Sequence, residues 1–104
     1  MKYWEEVSKN HFTLKAVINI KDYELCDLYL TPVTNTGDYM CKTYAGEVVC
    51  NINNINPICD VFSAYDLETA KAKAEMFVIK QVNKKKDKLE SEIYRYNKIL
   101  DELK

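Results

Sequence analysis

The residues of this 104-residue chain that could carry chemistry are four cysteines, one histidine and a run of lysines. The cysteines are Cys26, Cys41, Cys50 and Cys59. No two of them form the Cys-x-x-Cys pair that structural zinc sites use. Three of the four lie within apolar or alternating stretches, where a free thiol behaves as a small hydrophobic side chain. We therefore expect reduced, packed cysteines and no metal site.

The single histidine, His11, has no serine, cysteine or carboxylate at the spacing of a catalytic motif. The chain has only two glycines, which leaves little room for a loop that holds phosphate. Asp22, Glu24 and Asp27 could gather carboxylates, but adjacent strand residues point to opposite faces of a sheet. The sequence predicts a protein without enzymatic activity and without a cofactor.

Five lysines make a positive segment between residues 80 and 88. Those that could contact the phosphates of a nucleic acid are Lys80, Lys84, Lys85 and Lys88. The chain has one arginine, Arg95, although contacts that read bases depend on arginine. Its net charge of −1 also argues against a protein that coats nucleic acid. Lysine on an exposed helix is usually solubilising, so nucleic-acid binding is our second interpretation.

Tyrosines and carboxylates share the first half of the chain, where residues 1–62 carry five lysines against eight acidic residues. Tyrosine is a residue type that carries binding energy at protein interfaces. Strands that bear both types are better suited to a basic protein surface than to phosphate. The predicted partner-binding residues are Tyr23, Glu24, Asp27, Tyr29, Asp38 and Tyr39.

Alternation of apolar and polar residues predicts antiparallel strands over 11–20, 23–33, 39–44, 47–52 and 58–62. Turns are expected at Lys21-Asp22, at 34–38 and at Ala45-Gly46, and a loop at 51–57. Pro32 indicates that the second strand ends, or lies at an edge, there. Residues 1–10 suit a short helix or an edge strand equally. Every connection is too short for a crossover helix, so three to five strands should form a meander.

From residue 63 the apolar spacing becomes that of a helix, with Ser63 or Asp66 as its N-cap. The stripe expected to pack across the sheet is Leu67, Ala70, Ala74, Phe77 and Val78. No glycine or proline follows, so the helix should continue to Lys104, over about 57 Å. That length is roughly twice the diameter of a compact domain of this size. Part of the helix should therefore project and contact a partner.

The second half of the helix repeats apolar residues with a period of seven, which predicts a coiled coil over 79–103. The residues at its a and d positions are Ile79, Val82, Lys86, Leu89, Ile93, Tyr96, Leu100 and Leu103. Lys86, at an a position, favours a low oligomer number. We expect this segment to form a homodimer of parallel or antiparallel helices. Packing on the chain's own sheet and binding of a different protein remain alternatives.

These patterns predict a single α+β domain over residues 1–104, in which a β-meander at 11–62 packs on one long helix at 63–104 that extends into a coiled coil. Residues 1–10 form a short amino-terminal segment. A polar start and the lack of a run of about 18 apolar residues suggest a cytoplasmic protein without a membrane partner.

The functional expectation is a dimeric protein-binding module. The bias toward Asn, Ile, Lys and Tyr is typical of an AT-rich coding sequence, and a small domain without a catalytic signature is similar in style to accessory proteins of phages and mobile elements. Many of those proteins bind and block a host protein. This similarity implies an inhibitor or adaptor that acts on a host protein such as a nucleic-acid-targeting defence effector, in the manner of an anti-CRISPR protein. A purely structural dimer is the third alternative.

Overall fold

The computed structural model describes residues 1–34, 42–50 and 57–104, which form one antiparallel sheet and one long helix. The elements in chain order are β1 (Lys2–Ser8), β2 (His11–Ile18), β3 (Lys21–Thr34), β4 (Lys42–Cys50), β5 (Ile58–Ala64) and α1 (Leu67–Leu103). The five strands lie in the order in which they occur in the chain. The predicted α+β class and the meander are therefore confirmed.

The amino-terminal segment is an edge strand, β1, and not a short helix. It pairs with β2 from Lys2 opposite Ala16 to Ser8 opposite His11. Two of its side chains also reach α1, because the Lys2 ammonium lies 2.7 Å from a Glu75 carboxylate oxygen and the Trp4 indole donates to the other oxygen at 2.9 Å. The hydrogen bond from Lys2 lowers the pKa of Glu75. This edge of the sheet is thus attached to the helix by a carboxylate with two donors.

The turn between β2 and β3 consists of Asn19 and Ile20, two residues earlier than the expected Lys21-Asp22. Lys21 already pairs with Ile18 in the ladder. The two turn residues have φ values of 52° and 60°, the positive φ at both central positions that a type I′ hairpin requires. Asparagine tolerates this conformation, whereas a β-branched residue does so at a cost of about 1–2 kcal/mol.

Ile20→Gly is expected to stabilise the protein by about 1 kcal/mol, because glycine adopts positive φ without steric cost. The isoleucine side chain is fully exposed, so no packing is lost. Urea unfolding followed by circular dichroism measures the change. Ile18→Gly is the control: this exposed residue lies within β2, where glycine should destabilise. A loss of stability in both variants would contradict the prediction.

The strand β4 is continuous, so the expected turn at Ala45-Gly46 and the division into two strands were wrong. Gly46 lies in the middle of the ladder, opposite Leu30 on one side and Phe62 on the other. A Cβ atom at this position would lie 2.6 Å from Cε2 of Phe62. The glycine is therefore a site of close packing within a strand, where the aromatic ring lies over the backbone.

Pro32 does not end β3, which continues to Thr34. The last link between β2 and β3 on this side is the hydrogen bond from the Leu30 amide to the Asn10 carbonyl, at 2.8 Å. Beyond it, Pro32 pairs with Tyr44 of β4 alone in the described register. At Pro32 the strand β3 thus has a paired neighbour on one side only, although it is central elsewhere. The missing amide hydrogen of the proline therefore removes no hydrogen bond between strands. The turn expected at 34–38 and the loop at 51–57 fall mainly outside the described residues.

The helix begins after Asp66, whose side chain accepts a hydrogen bond from the Thr69 amide at 2.7 Å. Of the two expected caps, Asp66 is the one that is confirmed, because Ser63 still belongs to β5. The same hydrogen bond lowers the pKa of the Asp66 carboxyl. An acidic cap and Glu68 in the first turn both favour this end of the helix dipole.

The core lies between one face of the sheet and the first turns of α1. Its buried residues are Phe12, Leu14, Cys26, Leu28, Leu30, Val48, Cys50, Ala64, Ala70, Ala74 and Val78. Ala70 and Ala74 are fully buried and let the helix backbone approach the sheet closely, as the stripe of small residues predicts. On β2 the buried row ends at Leu14, where a bulge shifts the register, so Ile18 and Ile20 are exposed and not part of an apolar face.

Candidate interaction surfaces

The second half of α1 carries no buried residue. The helix has 37 residues, a length of about 55 Å, and its last buried side chain is that of Val78. The radius of gyration is 18.6 Å, compared with about 13 Å for a compact domain of this length. The longest dimension is 72 Å. The helix therefore extends beyond the core that holds its first half.

The a and d residues of this free half form a continuous exposed stripe, here called the heptad stripe. Its members are Ile79, Val82, Lys86, Leu89, Ile93, Tyr96, Leu100 and Leu103. The exposed fraction of the apolar members ranges from 41% for Val82 to 77% for Leu103. These side chains are thus largely exposed in the single chain, although Leu89 also lines a cavity together with Cys50 and Ile58 of the sheet.

The heptad stripe is not a continuation of the buried stripe of α1. At about 100° per residue, its a residues lie roughly a third of a turn around the helix from the mean direction of Ala70, Ala74 and Val78, and its d residues lie only about 50° from it. Of the positions that continue the buried line, Gln81 and Glu92 are polar and partly buried, whereas Ile99 is apolar and 47% exposed. A second helix can therefore approach the heptad stripe from the side of its a residues.

The lysine segment, residues 80–88, begins where the buried part of α1 ends. Lys80, Lys84 and Lys88 are four residues apart and so lie on one line along the helix. Lys84 and Lys88 border a cavity of about 510 Å³ that Cys50 and Ile58 also line. Lys86 lies on the heptad stripe instead, 3.9 Å from Glu90. Lys84, Lys85 and Lys88 thus share one cavity, whereas Lys80 lines another, together with Cys59 and Phe62 of β5.

The face of the sheet opposite α1, here called the open face, is ordered in rows across the strands. One row is Glu5, Thr13, Asp27, Val49 and Cys59. The next is Ser8, His11, Tyr29, Glu47 and Val61. Directly opposite residues on neighbouring strands have Cβ atoms about 5 Å apart. Each row is therefore a connected strip of side chains.

A polar cluster occupies the centre of the open face. Nε2 of His11 lies 3.0 Å from Oδ1 of Asp27, and the Thr13 hydroxyl donates to the same oxygen at 2.7 Å. The His11 ring stacks on Tyr29 with ring centroids 4.3 Å apart. Burial raises the pKa of Tyr29, and the negative charges of Asp27 and Glu47 raise it further. The cluster fixes the orientation of Tyr29 and surrounds it with carboxylate charge.

The predicted partner-binding residues divide between the two faces of the sheet. Asp27 and Tyr29 lie in the rows of the open face, and Glu24 pairs with Lys15 on that side. Tyr23 pairs with Ala16, one position further, and therefore points to the opposite side, where the Lys21 ammonium lies 5.3 Å from the centre of its ring. Asp38 and Tyr39 lie outside the described residues.

The cysteines of the described residues are free thiols. Cys26 and Cys50 are buried directly opposite each other on β3 and β4, whereas Cys59 is exposed. Burial, together with the neighbouring Cys50 and Asp27, raises the pKa of the Cys26 thiol to about 12. That thiol is protonated and unreactive at neutral pH. The parts of the chain described here contain no group of three or more His, Cys, Asp and Glu residues that could hold a metal ion.

No helix formed by residues 1–34, 42–50 and 57–104 combines the length and the apolar character needed to cross a membrane. Comparison with known proteins finds no matching family model, no matching curated protein and no matching solved structure. Function must therefore be argued from three surfaces: the heptad stripe, the lysine segment and the open face.

Proposed function

We propose that this protein is a homodimeric, non-enzymatic protein-binding module whose copies associate through the heptad stripe. The observation that carries the proposal is an apolar row with strict heptad spacing that stays exposed on a helix already anchored to its sheet. A helix face that stays in contact with solvent normally carries polar residues and not an apolar row. A second copy of the chain carries the complementary surface by symmetry.

The area available is sufficient for a stable pair. Burying the exposed half of seven apolar side chains in each chain contributes roughly 10–20 kcal/mol per dimer, at about 1.5–3 kcal/mol for a whole side chain. Association costs about 4–15 kcal/mol, because the two chains lose translational and rotational freedom. At the midpoints of these two ranges, association is favoured by about 5 kcal/mol.

The residue types at the two core positions favour two parallel strands. Ile79 and Ile93 occupy a positions, and Leu89 and Leu103 occupy d positions, as in parallel two-stranded coiled coils. The other apolar members, Val82 and Tyr96 at d and Leu100 at a, do not follow this pattern. In the parallel arrangement Lys85 at g faces Glu90 at e of the other copy. A lysine at the a position, here Lys86, disfavours higher oligomers, because more helices would surround its ammonium group.

Sedimentation equilibrium tests the proposal directly. The chain has a mass of 12.2 kDa, and we expect the intact chain to sediment with twice that mass. A chain truncated after Gln81 keeps every buried residue of α1 but loses most of the heptad stripe, so it should be monomeric. An intact chain that remains monomeric at high concentration would refute the dimer.

A second candidate function is nucleic-acid binding, and the alignment of Lys80, Lys84 and Lys88 on one line favours it. Phosphate contacts are strongest at low salt, so fluorescence anisotropy with a generic duplex at low ionic strength should detect binding if this function is real. A double Lys84→Gln, Lys88→Gln variant should then lose affinity, while Lys9→Gln, in the β1–β2 turn, should not. Absence of binding at low salt would eliminate this candidate.

The identity of an external partner stays a prediction. An inhibitor or adaptor of a host protein, such as a nucleic-acid-targeting defence effector, is the expectation from sequence style. Affinity capture from the native host lysate with the intact dimer tests it. If sedimentation shows a dimer and the capture still recovers no partner, a purely structural dimer is favoured.

A further inference from the structure

Beside its polar cluster, the open face has an aromatic and an apolar side chain that remain exposed. Tyr29 keeps 43% of its surface exposed, and Val61, two strands away in the same row, keeps 73%. Glu47 lies between them on β4. The solvent face of an antiparallel sheet is normally polar, so an exposed aromatic and an exposed valine in one row mark a surface suited to contact.

The charge of the open face is strongly negative. Its acidic residues in the described strands are Glu5, Asp22, Glu24, Asp27 and Glu47. The Tyr3 hydroxyl, on this face, reaches Asp22 at 3.4 Å, which places that carboxylate on the same side. Among the described strand residues of this face, Lys15 is the one lysine, and its ammonium lies 2.5 Å from a Glu5 carboxylate oxygen. Five carboxylates against one lysine repel phosphate and attract cationic side chains.

Tyr29 and Glu47 together make a site for a guanidinium or ammonium group. The His11 ring holds Tyr29 from one side, so the phenol does not need to be ordered on binding. Glu47 is directly opposite Tyr29 in the ladder and is exposed. An arginine that lies over the exposed part of the phenol ring can donate to the Glu47 carboxylate at the same time.

We propose that the open face is the docking surface for an arginine- or lysine-rich segment of a partner protein, with Tyr29 as its aromatic anchor and Glu47 as its principal acceptor. The proposal names the partner class of the protein-binding module and rests on that function. The surface is separate from the heptad stripe, because α1 covers the other face of the sheet. Each chain of a dimer therefore presents one such site.

The test uses the intact chain labelled with ¹⁵N and a short synthetic peptide of alternating arginine and leucine. We expect amide shifts centred on Tyr29, Glu47 and Val61, with an affinity that falls as salt is added. Tyr29→Ala and Glu47→Gln should each weaken binding about fivefold to tenfold. Glu68→Gln, which removes the same charge from an exposed site on α1, is the matched control and should change affinity less than twofold.

Three outcomes would overturn the proposal. Shifts confined to residues outside the open face would place the site elsewhere, and equal weakening by Glu68→Gln and Glu47→Gln would indicate unspecific attraction. The protein without peptide could also show a mass above that of the dimer. If Glu47→Gln abolishes this larger mass, the occupant of the open face is a second copy of the chain. The folding of every variant is checked by its own amide spectrum. A monomeric chain that still binds the peptide would refute the dimer and leave the open face standing, so the two failures are distinguishable.

Discussion

The variant Ile93→Asp is expected to sediment as a monomer of about the 12.2 kDa chain mass, in contrast to the dimer that we propose for the unchanged chain. Ile93 occupies an a position near the middle of the heptad stripe and is 58% exposed in the single chain. In a parallel pair two carboxylates would face each other there, with the loss of about 1.5–3 kcal/mol of apolar burial from each copy. The unpaired charges add several kcal/mol. The dissociation constant should rise at least about 1000-fold.

The matched control for this prediction is Tyr94→Asp. Tyr94 is the neighbouring residue, is 65% exposed and lies outside the heptad stripe. Both substitutions place aspartate on the same turn of α1, so any cost to the helix itself is shared. Tyr94→Asp should therefore remain dimeric. Monomers in both variants would indicate that the helix is disrupted, and dimers in both would exclude the heptad stripe as the interface.

Leu28→Ala is expected to lower the free energy of unfolding by about 2–5 kcal/mol. Leu28 is fully buried in the central strand, with Phe12 and Val48 opposite it on the two neighbouring strands. Its replacement leaves a cavity between the sheet and α1 that neighbouring strands cannot fill by small shifts. Domains of this size have a total stability of about 5–15 kcal/mol, so the loss is a large fraction. Urea unfolding at a concentration that keeps the oligomeric state constant measures it.

Two valines on adjacent strands provide the control. Val48, on β4, is fully buried, whereas Val61, on β5, is 73% exposed on the open face. Val48→Ala should cost about 2 kcal/mol, and Val61→Ala less than about 0.5 kcal/mol. The reverse order would mean that α1 covers the opposite face of the sheet, and the assignment of the open face would be lost.

The helix, and the boundary between its buried first part and its exposed second part, were predictable because both depend on local sequence. The spacing of Ala70, Ala74 and Val78 predicts the face that packs on the sheet, and Asp66 is a strong cap. The end of burial after Val78 agrees with the change to a heptad period at Ile79. Local periodicity also predicts that the strands follow one another as a meander, since short connections allow no other neighbour.

The polar cluster on the open face was not predictable, because pairing across strands depends on the turn and on a bulge. A turn at Lys21-Asp22 would place His11 opposite Pro32. The actual turn at Asn19 and Ile20, with the bulge after Leu14, places His11 opposite Tyr29 instead. A shift of one residue reverses every side chain between the faces. Isoleucine at a positive-φ position gave no sign of that turn.

The turn wrongly expected at Gly46 has a similar cause. Glycine commonly marks a turn, and the sequence does not reveal that the Phe62 ring packs over this position from a neighbouring strand. The reason for the glycine is a contact between residues that are 16 positions apart in the chain. Where β-branched residues lie on both sides of a single glycine, their strand pattern therefore predicts the backbone better than the glycine does.

The end of burial at Val78 has a consequence for how this chain can change by mutation. Substitutions in residues 79–103 remove no packing from the core of the single chain, and most surface substitutions alter stability by less than about 0.5 kcal/mol. In the dimer that we propose, pairing preference is set by the same residues, through the shape and charge at the a, d, e and g positions. Duplicated copies of such a gene could therefore acquire separate pairing specificities by drift along this helix, without passing through a poorly folded intermediate.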